Sequence, residues 1–319
     1  MTTLDNKIDF RKVAELWIKK KETSTKDSTY IHYYNLLKNH IEPKLGDEFI
    51  EDITLLKLEE TIITFSTEGR LDYNGGLSQK TVCDITIIIK AILRYAETLG
   101  YNLSCNLSSF SVKQPYRELK VLSRKEQSAV NKFLLSQTGF TELGVLLALY
   151  TGLRIGELCA LNIDDFDLGM KKLTINKTLQ RLQHKQGDFS SKTHITISSP
   201  KSKSSIREIP VPDFIIERIR SAEYPKGAYI LTGTSDKFME PRTMENRFNK
   251  IMQSLSIDSV SFHTLRHTFA TRCVEVGVDV KTLSETLGHS NVNITLNRYV
   301  HSSFEMKQKG LQKLTYSTH

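Results

Sequence analysis

Cysteine is scarce in this chain of 319 residues, and the few cysteines present are far apart. The four of them are Cys83, Cys105, Cys159 and Cys273. No two have the close spacing of a zinc-binding or redox-active pair, so we expect reduced thiols and no metal site. Proline is also rare, with seven residues, and no low-complexity tract interrupts the chain. A composition of 39% hydrophobic and 25% charged residues is that of an ordinary globular protein.

Long hydrophobic runs are absent as well. No apolar stretch is long enough to span a bilayer, and the N-terminus MTTLDNKIDF lacks the basic and apolar regions of a secretory signal. We therefore expect a cytoplasmic protein without a membrane partner. The length of the chain favours two domains.

Positive charge is unevenly distributed. The net charge is +8, but residues 1–119 hold 16 Lys and Arg against 17 Asp and Glu, whereas residues 120–319 hold 28 against 19. A basic excess in one part of a chain indicates contact with a polyanion, and duplex DNA is the commonest one. On the charge distribution alone, a solvated surface rich in lysine is an equally good explanation.

Apolar residues at helical spacing predict a small helical bundle in the first hundred residues. The expected helices surround Phe10–Ile18, Ser28–Leu37, Asp52–Phe65 and Ser78–Leu99, the second ending before Pro43. Residues 101–121 are rich in Ser and Asn and then basic, which is typical of a linker. A new helix is expected at Ser123, where Glu126 completes a capping box.

The second half of the chain is predicted to be mixed. Residues 141–161 have a helical pattern that breaks at Gly152, and everything after Pro212 is expected to be helical. Alternating residues predict strands at Leu173–Thr178, His194–Ser198 and Arg207–Val211.

The segment TGLRIGELCAL, residues 151–161, places Arg154 among apolar residues, with Glu157 one turn later. An arginine in such a context needs a partner or an anion, because burying an isolated charge is costly. Taken alone, the segment is better explained by a local ion pair between these two residues.

The segment HTLRH, residues 263–267, places His263 and Arg266 on one face of a helix, where both can contact one group. His267 is expected to point elsewhere and to have a structural role. Two polar residues on one face of a helix are common by chance, so this motif alone is weak evidence for a functional site.

Two further segments complete the set. In LGHSNVNITLNRYVH, residues 287–301, His289 follows Gly288 at a predicted helix start, and Tyr299 comes ten residues later. A lone helical tyrosine is normally a core or interface residue. The turn in PKSKSSIREIP carries Lys201 and Lys203, and lysines in a turn usually remain solvated.

In this order and spacing, the four segments resemble the tyrosine recombinase (phage integrase) family. Its signature is an Arg, a hairpin Lys, a His-x-x-Arg pair, a His or Trp, and a Tyr. The matching residues are Arg154, Lys201, His263, Arg266, His289 and Tyr299. The stretch TYIHYYNLLKNHIEPKLGDEFIEDIT also resembles the helical core-binding domain of integrases, so the resemblance covers nearly the whole chain.

The resemblance implies a mainly α fold with a small antiparallel β-sheet. It implies a four-helix SAM-like core-binding domain that clamps DNA at residues 1–105, a linker at 106–121, and an α+β catalytic domain at 122–319. Residues 302–319 would dock on a neighbouring copy in a tetramer on DNA, although packing on their own domain is the alternative. The implied partners are double-stranded DNA with specific core sites, further copies of the chain, and an excisionase or accessory DNA-bending protein.

The implied activity is site-specific cleavage and rejoining of DNA through a 3′-phosphotyrosyl intermediate, without ATP, a metal ion or another cofactor. Tyr299 would be the nucleophile, and Arg154 and Arg266 would neutralise the phosphate. The two histidines, His263 and His289, would exchange protons or donate hydrogen bonds. Lys201 would protonate the leaving oxygen, with Lys203 as the alternative, and Glu157 would orient Arg154.

The predicted bundle begins within the first ten residues, so no arm-binding domain is expected before it. This favours an Xer-like recombinase or a transposon integrase over a lambda-type enzyme. Integration or excision of a mobile element is the expected role, and Xer-type resolution of chromosome or plasmid dimers is the alternative. The LGHSNVNITLNRYVH context disfavours a type IB topoisomerase, and competent residues at all six positions disfavour a non-catalytic DNA-binding protein.

Overall fold

The chain has two units in the computed structural model, which describes residues 7–72, 74–113, 119–183, 193–199 and 203–299. The N-terminal unit comprises Met1–Arg117 and Leu182–Lys192, and the C-terminal unit comprises Glu118–Arg181 and Thr193–His319. Separate hydrophobic cores stabilise the two units. None of the helices in the described part of the chain combines the length and the apolar content needed to cross a bilayer.

The N-terminal unit is a bundle of helices. Its elements are α1 (Phe10–Ser24), α2 (Asp27–Leu36), a π-helical turn (Leu37–Ile41), α3 (Glu42–Leu45), α4 (Leu55–Glu68) and α5 (Gln79–Thr98). Short polar residues cap the three long helices: Asp9, Thr54 and Ser78 each accept a hydrogen bond from the backbone N–H three residues later. Such caps satisfy N–H groups that have no partner within the helix.

The second predicted helix does not end before Pro43. The π-helical turn Leu37–Ile41 follows α2 directly, and α3 then carries the chain through Pro43 to Leu45. Proline removes one N–H donor from a helix, and a π turn changes the local hydrogen-bond spacing. The chain can therefore pass Pro43, while Leu37, Ile41 and Leu45 remain fully buried in the bundle.

Part of the segment expected to be a linker packs on the bundle. Leu107 and Phe110 are buried in the core of the N-terminal unit, with Val112 packed against it. The thiol of Cys83, on α5, contacts the carbonyl of Val112 at 3.6 Å. Residues 114–118 lie outside the described part of the chain.

The C-terminal unit begins with helices and continues into short strands. Its first elements are α6 (Arg124–Ser136), α7 (Phe140–Thr151), α8 (Ile155–Ala160), β1 (Phe166–Asp167), β2 (Lys172–Ile175), β3 (Thr178–Gln183), β4 (Thr193–Ser198) and β5 (Arg207–Pro210). The helices that follow are α9 (Asp213–Ser221), α10 (Pro241–Ser254), α11 (His263–Glu275), α12 (Val280–Leu287) and α13 (Val292–Tyr299). The predicted capping box at Ser123 and Glu126 is confirmed.

The strands form two small antiparallel sheets. Strand β2 lies between β1 and β5, with Leu173 opposite Ile209 and Ile175 opposite Arg207, and β3 pairs with β4. The predicted fold class, mainly α with small antiparallel β-sheet, is confirmed.

Helix α7 is the central element of the C-terminal unit. Every residue from Leu143 to Leu149 is buried, so this helix is apolar around its whole circumference. It contacts α6, α8, α9, α10 and α11. As predicted, it breaks at Gly152, whose φ of +67° forms a left-handed C-cap. The break turns the chain directly into the segment that carries Arg154.

We expect Gly152→Ala to destabilise the protein more than Gly277→Ala. Both glycines have positive φ, which costs an alanine about 1–2 kcal/mol. A Cβ on Gly152 would also lie 2.6 Å from Phe269 and 2.8 Å from Leu287, whereas one on Gly277 meets nothing within 4 Å. Overpacking should add about 1–3 kcal/mol at Gly152 only. Urea unfolding measures both variants, and equal losses would contradict this explanation.

Candidate active site

Five of the six predicted site residues lie in the described part of the chain, and they come from four different places in the C-terminal unit. Arg154 is the N-cap of α8, His263 and Arg266 lie on the first turn of α11, His289 follows α12, and Tyr299 ends α13. Lys201 and the segment 302–319 lie outside the described residues. The assembly of the site therefore depends on how α8, α11, α12 and α13 pack.

Three arginines bind the end of α12 through consecutive carbonyl oxygens. Arg207 donates from Nε to Thr286 at 2.6 Å, Arg266 from Nη2 to Leu287 at 2.6 Å, and Arg154 from Nη2 to Gly288 at 3.3 Å. The last carbonyls of a helix have no partner within it and form the negative end of its dipole. Guanidinium groups donate hydrogen bonds to these carbonyls and place positive charge at the negative end of the dipole.

A buried carboxylate, Glu157, links two of these arginines. Its side chain accepts two hydrogen bonds from Arg207, at 3.1 and 2.9 Å, and one from Nη1 of Arg154 at 2.7 Å. It also accepts from the backbone N–H of Arg154 at 2.9 Å. Burial raises the pKa of Glu157, but its bonds and charge contacts with Arg207 and Arg154 outweigh that effect and lower it. Glu157 therefore remains ionised and orients both arginines.

Arg266 is the most confined cation of the site. Its side chain is 2% exposed, and its guanidinium donates to the carbonyls of Gly152, at 2.7 Å, and Leu287. None of the described carboxylates forms an ion pair with it. Burial and the nearby charge of Arg154 lower the pKa of Arg266 to about 9. An anion bound beside it would stabilise the charged form.

Tyr299 is buried, with 7% of its surface exposed, and its hydroxyl lies 2.7 Å from Nδ1 of His267. The expectation that His267 points away from the site is therefore wrong. His267 lies four residues after His263, and residues four apart share a helix face as closely as residues three apart. The rings of the two histidines are perpendicular, with centroids 4.5 Å apart.

His289 lies beside Tyr299, with the two rings nearly parallel and their centroids 6.5 Å apart. Its Nδ1 lies 2.8 Å from Oγ1 of the buried Thr295. Burial and the charges of Arg266 and Arg154 lower the pKa of His289 to about 4. Gly288, with a φ of +64°, is the left-handed C-cap of α12, and the helix predicted to start beside His289 begins three residues later, at Val292.

Arg207 is a residue of the site that the sequence patterns did not identify. It is 8% exposed and stands opposite Ile175 in the sheet. The alternating pattern of β5 does contain the signal, since it places Arg207 on the same buried face as Ile209. A charged residue at a core-facing strand position needs a buried partner, and Glu157 is that partner.

The chain matches known families over both units. The model described as "Phage integrase family" matches residues 120–306, and the model described as "Phage integrase, N-terminal SAM-like domain" matches residues 9–64. A protein named "Tyrosine recombinase XerC-like", from Caldanaerobacter subterraneus subsp. tengcongensis, is 27% identical over 91% of this chain and 78% of its own length.

Two further similarities involve transposon proteins. The transposase from transposon Tn916 of Enterococcus faecalis is 26% identical over 53% of this chain and 44% of that protein. The structure of the Tn1549 transposon integrase in complex with a circular intermediate DNA superposes with a TM-score of 0.75 at 22% identity. It covers 95% of this chain and 99% of that one, which shows a shared fold.

We expect Glu157→Gln to cost about 3–5 kcal/mol of unfolding free energy, because it leaves Arg207 buried without its counter-charge. The double variant Glu157→Gln with Arg207→Met should lose less than the sum of the two single changes, since it removes both charges. Glu208→Gln, which disrupts an exposed pair with Lys172, is the matched control and should cost about 0–1 kcal/mol. Urea unfolding of all four variants measures these differences, and strict additivity would contradict the pairing.

The cost of Glu157→Gln should also shrink in acid. The pKa of Glu157 is lower in the folded protein than in the unfolded chain, so its stabilisation is fully present above the unfolded value and is lost as the pH falls through the folded one. Unfolding curves at decreasing pH should bring the variant and the unaltered protein together. A constant difference would mean that the charge of Glu157 is not what stabilises the fold.

Proposed function

The chain belongs to the phage integrase family, and on that premise we propose that it is a tyrosine site-specific recombinase in which Tyr299 cuts and rejoins DNA. The observation that carries this proposal is a buried tyrosine beside a surplus of guanidinium charge. Arg154, Arg207 and Arg266 meet at the end of α12, and Glu157 is the one described carboxylate bonded to them. The site therefore favours an anion, which a DNA phosphate would supply.

Arg154 and Arg266 would bind the two non-bridging oxygens of the scissile phosphate. Arg154 is suited to this because 37% of its side chain remains exposed while Glu157 holds its orientation. Arg266 is suited because its two bonds to carbonyls fix the guanidinium plane before DNA arrives. Fixed donors stabilise the charge that develops on a pentacovalent phosphate without reorganising during the reaction.

Attack by the phenol oxygen of Tyr299 would join the enzyme to the 3′ phosphate and release a 5′-hydroxyl. The leaving oxygen is strongly basic, and we assign its proton to Lys201, with Lys203 as the alternative. His263 and His289 would donate hydrogen bonds to the phosphate. The phosphotyrosyl bond conserves the energy of the phosphodiester, so the second DNA strand can be rejoined without ATP.

The wider assembly follows from the same proposal. Residues 1–105 would bind the duplex as a core-binding domain, residues 122–319 would carry the chemistry, and 106–121, part of which packs on the bundle, would connect them. Recombination needs two duplexes and four active sites, so we propose a tetramer on DNA in which segment 302–319 docks on the next copy. An excisionase or a DNA-bending protein would act as an accessory partner, and the reaction would take place in the cytoplasm.

Integration and excision of a mobile element is the favoured role, and the similarity to the Tn916 transposase supports it. The XerC-like relative, which matches 91% of this chain, supports resolution of chromosome or plasmid dimers as the alternative. Sheared DNA of the source genome, incubated with the protein and trapped with detergent, should yield covalent complexes whose sequence distinguishes the two. Attached DNA from the ends of an inserted element would favour the mobile-element role. Attached DNA from a single chromosomal or plasmid site would favour resolution of dimers.

A nicked suicide duplex carrying the captured site tests the chemistry. The unaltered protein should become attached to the 3′ phosphate, whereas Tyr299→Phe should bind the duplex and never attach. Tyr224→Phe is the matched control, because the Tyr224 hydroxyl bonds the carbonyl of Ile230 and should not affect attachment. Arg266→Lys, which loses the planar fork, should lower the attachment rate about 100-fold or more.

Denaturing gels measure attachment, and gel-shift titrations measure binding separately. Attachment of Tyr299→Phe at the normal rate would contradict the proposal. So would failure of the unaltered protein to attach to any genomic fragment.

A further inference from the structure

The two histidines on α11 differ in what they can reach. His263 is exposed, whereas His267 is 8% exposed and lies beneath it. Among the described residues, the hydroxyl of Tyr299 has one hydrogen-bond partner, and that partner is Nδ1 of His267 at 2.7 Å. His263 is therefore placed to meet DNA, and His267 is placed to meet the tyrosine.

The direction of this hydrogen bond follows from the charge states of the two side chains. Burial, together with the charges of His263, Arg298 and Arg266, lowers the pKa of His267 to about 4, so its ring is neutral near pH 7. Burial raises the pKa of Tyr299, so the phenol is also neutral. A phenol is a far stronger acid than a neutral imidazole N–H, so Tyr299 donates and Nδ1 accepts, with the ring proton on Nε2.

We propose that His267 takes the hydroxyl proton of Tyr299 as the phenol oxygen attacks the phosphate, and returns it when the strand is rejoined. In cleavage, the Tyr299 O–H bond breaks and an N–H bond forms at Nδ1, while the new O–P bond replaces the bond from phosphorus to the 5′ oxygen. That leaving oxygen receives its proton from a different group, Lys201. The inference rests on the proposed function and adds the acceptor that the nucleophile requires.

The surrounding charges indicate when this transfer becomes favourable. An imidazolium at His267 would face Arg266 and Arg298 as well as His263, which is costly while the site holds no anion. The scissile phosphate would bring negative charge to the same arginines and reduce that cost. Proton transfer would therefore follow DNA binding, and the nucleophile would stay protonated in the free protein.

The free protein offers a test that does not depend on recombination. In ¹⁵N-histidine-labelled protein, NMR should show His267 as the neutral Nε2–H tautomer, and Tyr299→Phe should shift its Nδ1 resonance. Tyr224→Phe is the control and should leave that resonance unchanged. A proton on Nδ1, or a resonance unaffected by Tyr299→Phe, would overturn the inference.

The kinetic test uses His267→Asn on the captured suicide duplex. An asparagine oxygen can replace Nδ1 as a hydrogen-bond acceptor, but it cannot hold the proton. We expect covalent attachment to slow about 100-fold, within the usual contribution of a general base. The rate of the variant should rise steadily with pH, because hydroxide must replace the missing base, while the unaltered protein responds less.

A second substrate separates proton transfer from structural support. In a duplex whose strand ends in a 3′-(p-nitrophenyl) phosphate beside a free 5′-hydroxyl, a protein carrying Tyr299→Phe can join the strand only by direct attack of the hydroxyl, because it has no tyrosine nucleophile. Adding His267→Asn to Tyr299→Phe should leave the joining rate within about threefold of that of Tyr299→Phe alone, since the general-base contribution of about 100-fold acts on the tyrosine alone. Equal losses in attachment and joining would assign His267 a structural role and overturn the inference.

The outcomes also distinguish this inference from the proposed function. If the unaltered protein attaches to DNA and His267→Asn attaches equally fast, the inference fails and the proposed function stands. If the unaltered protein never attaches, the proposed function fails, and the NMR result still reports on the hydrogen bond itself.

Discussion

The site depends on the binding of three guanidinium groups to the last carbonyls of α12. Arg207, Arg266 and Arg154 come from β5, α11 and the start of α8, and they share this one helix end. His289 follows it directly, and α13 then carries Tyr299 back to α11. Because each arginine also bonds a second group in Glu157 or Gly152, a shift of α12 would disturb all of these elements together. The contacts that pack these helices together are therefore the same contacts that position the active-site residues.

This arrangement carries an electrostatic cost that a structural role alone does not explain. Glu157 compensates part of the guanidinium charge, while burial and the nearby charge of Arg154 lower the pKa of Arg266. Buried ion pairs are seldom more stabilising than apolar packing of the same volume. The surplus positive charge would instead bind an anionic substrate, and its donors are already oriented when the phosphate arrives. The phenol and the imidazole rings then lie where proton transfer is needed.

Much of this could be predicted from the sequence because the deciding signals are local. The cap at Ser78, the capping box at Ser123 and the break at Gly152 each depend on a few neighbouring residues, and all three are confirmed. Other features depend on contacts distant in sequence. The role of Arg207 depends on a carboxylate 50 residues away, and that of His267 on a hydroxyl 32 residues away. The chain continues past Pro43 because Leu45 completes the bundle core, an influence that local propensity does not contain.

The central claim is that the oxygen of Tyr299 becomes bonded to DNA, and mass spectrometry of the covalent complex tests it most directly. Nuclease digestion leaves a nucleotide on the attached residue, and trypsin cleaves after Arg298 and Lys307, releasing the peptide YVHSSFEMK. We predict that this peptide carries a 3′-phosphonucleotide on its first residue, Tyr299. A nucleotide on any other peptide, or a linkage through the 5′ phosphate, would contradict the account.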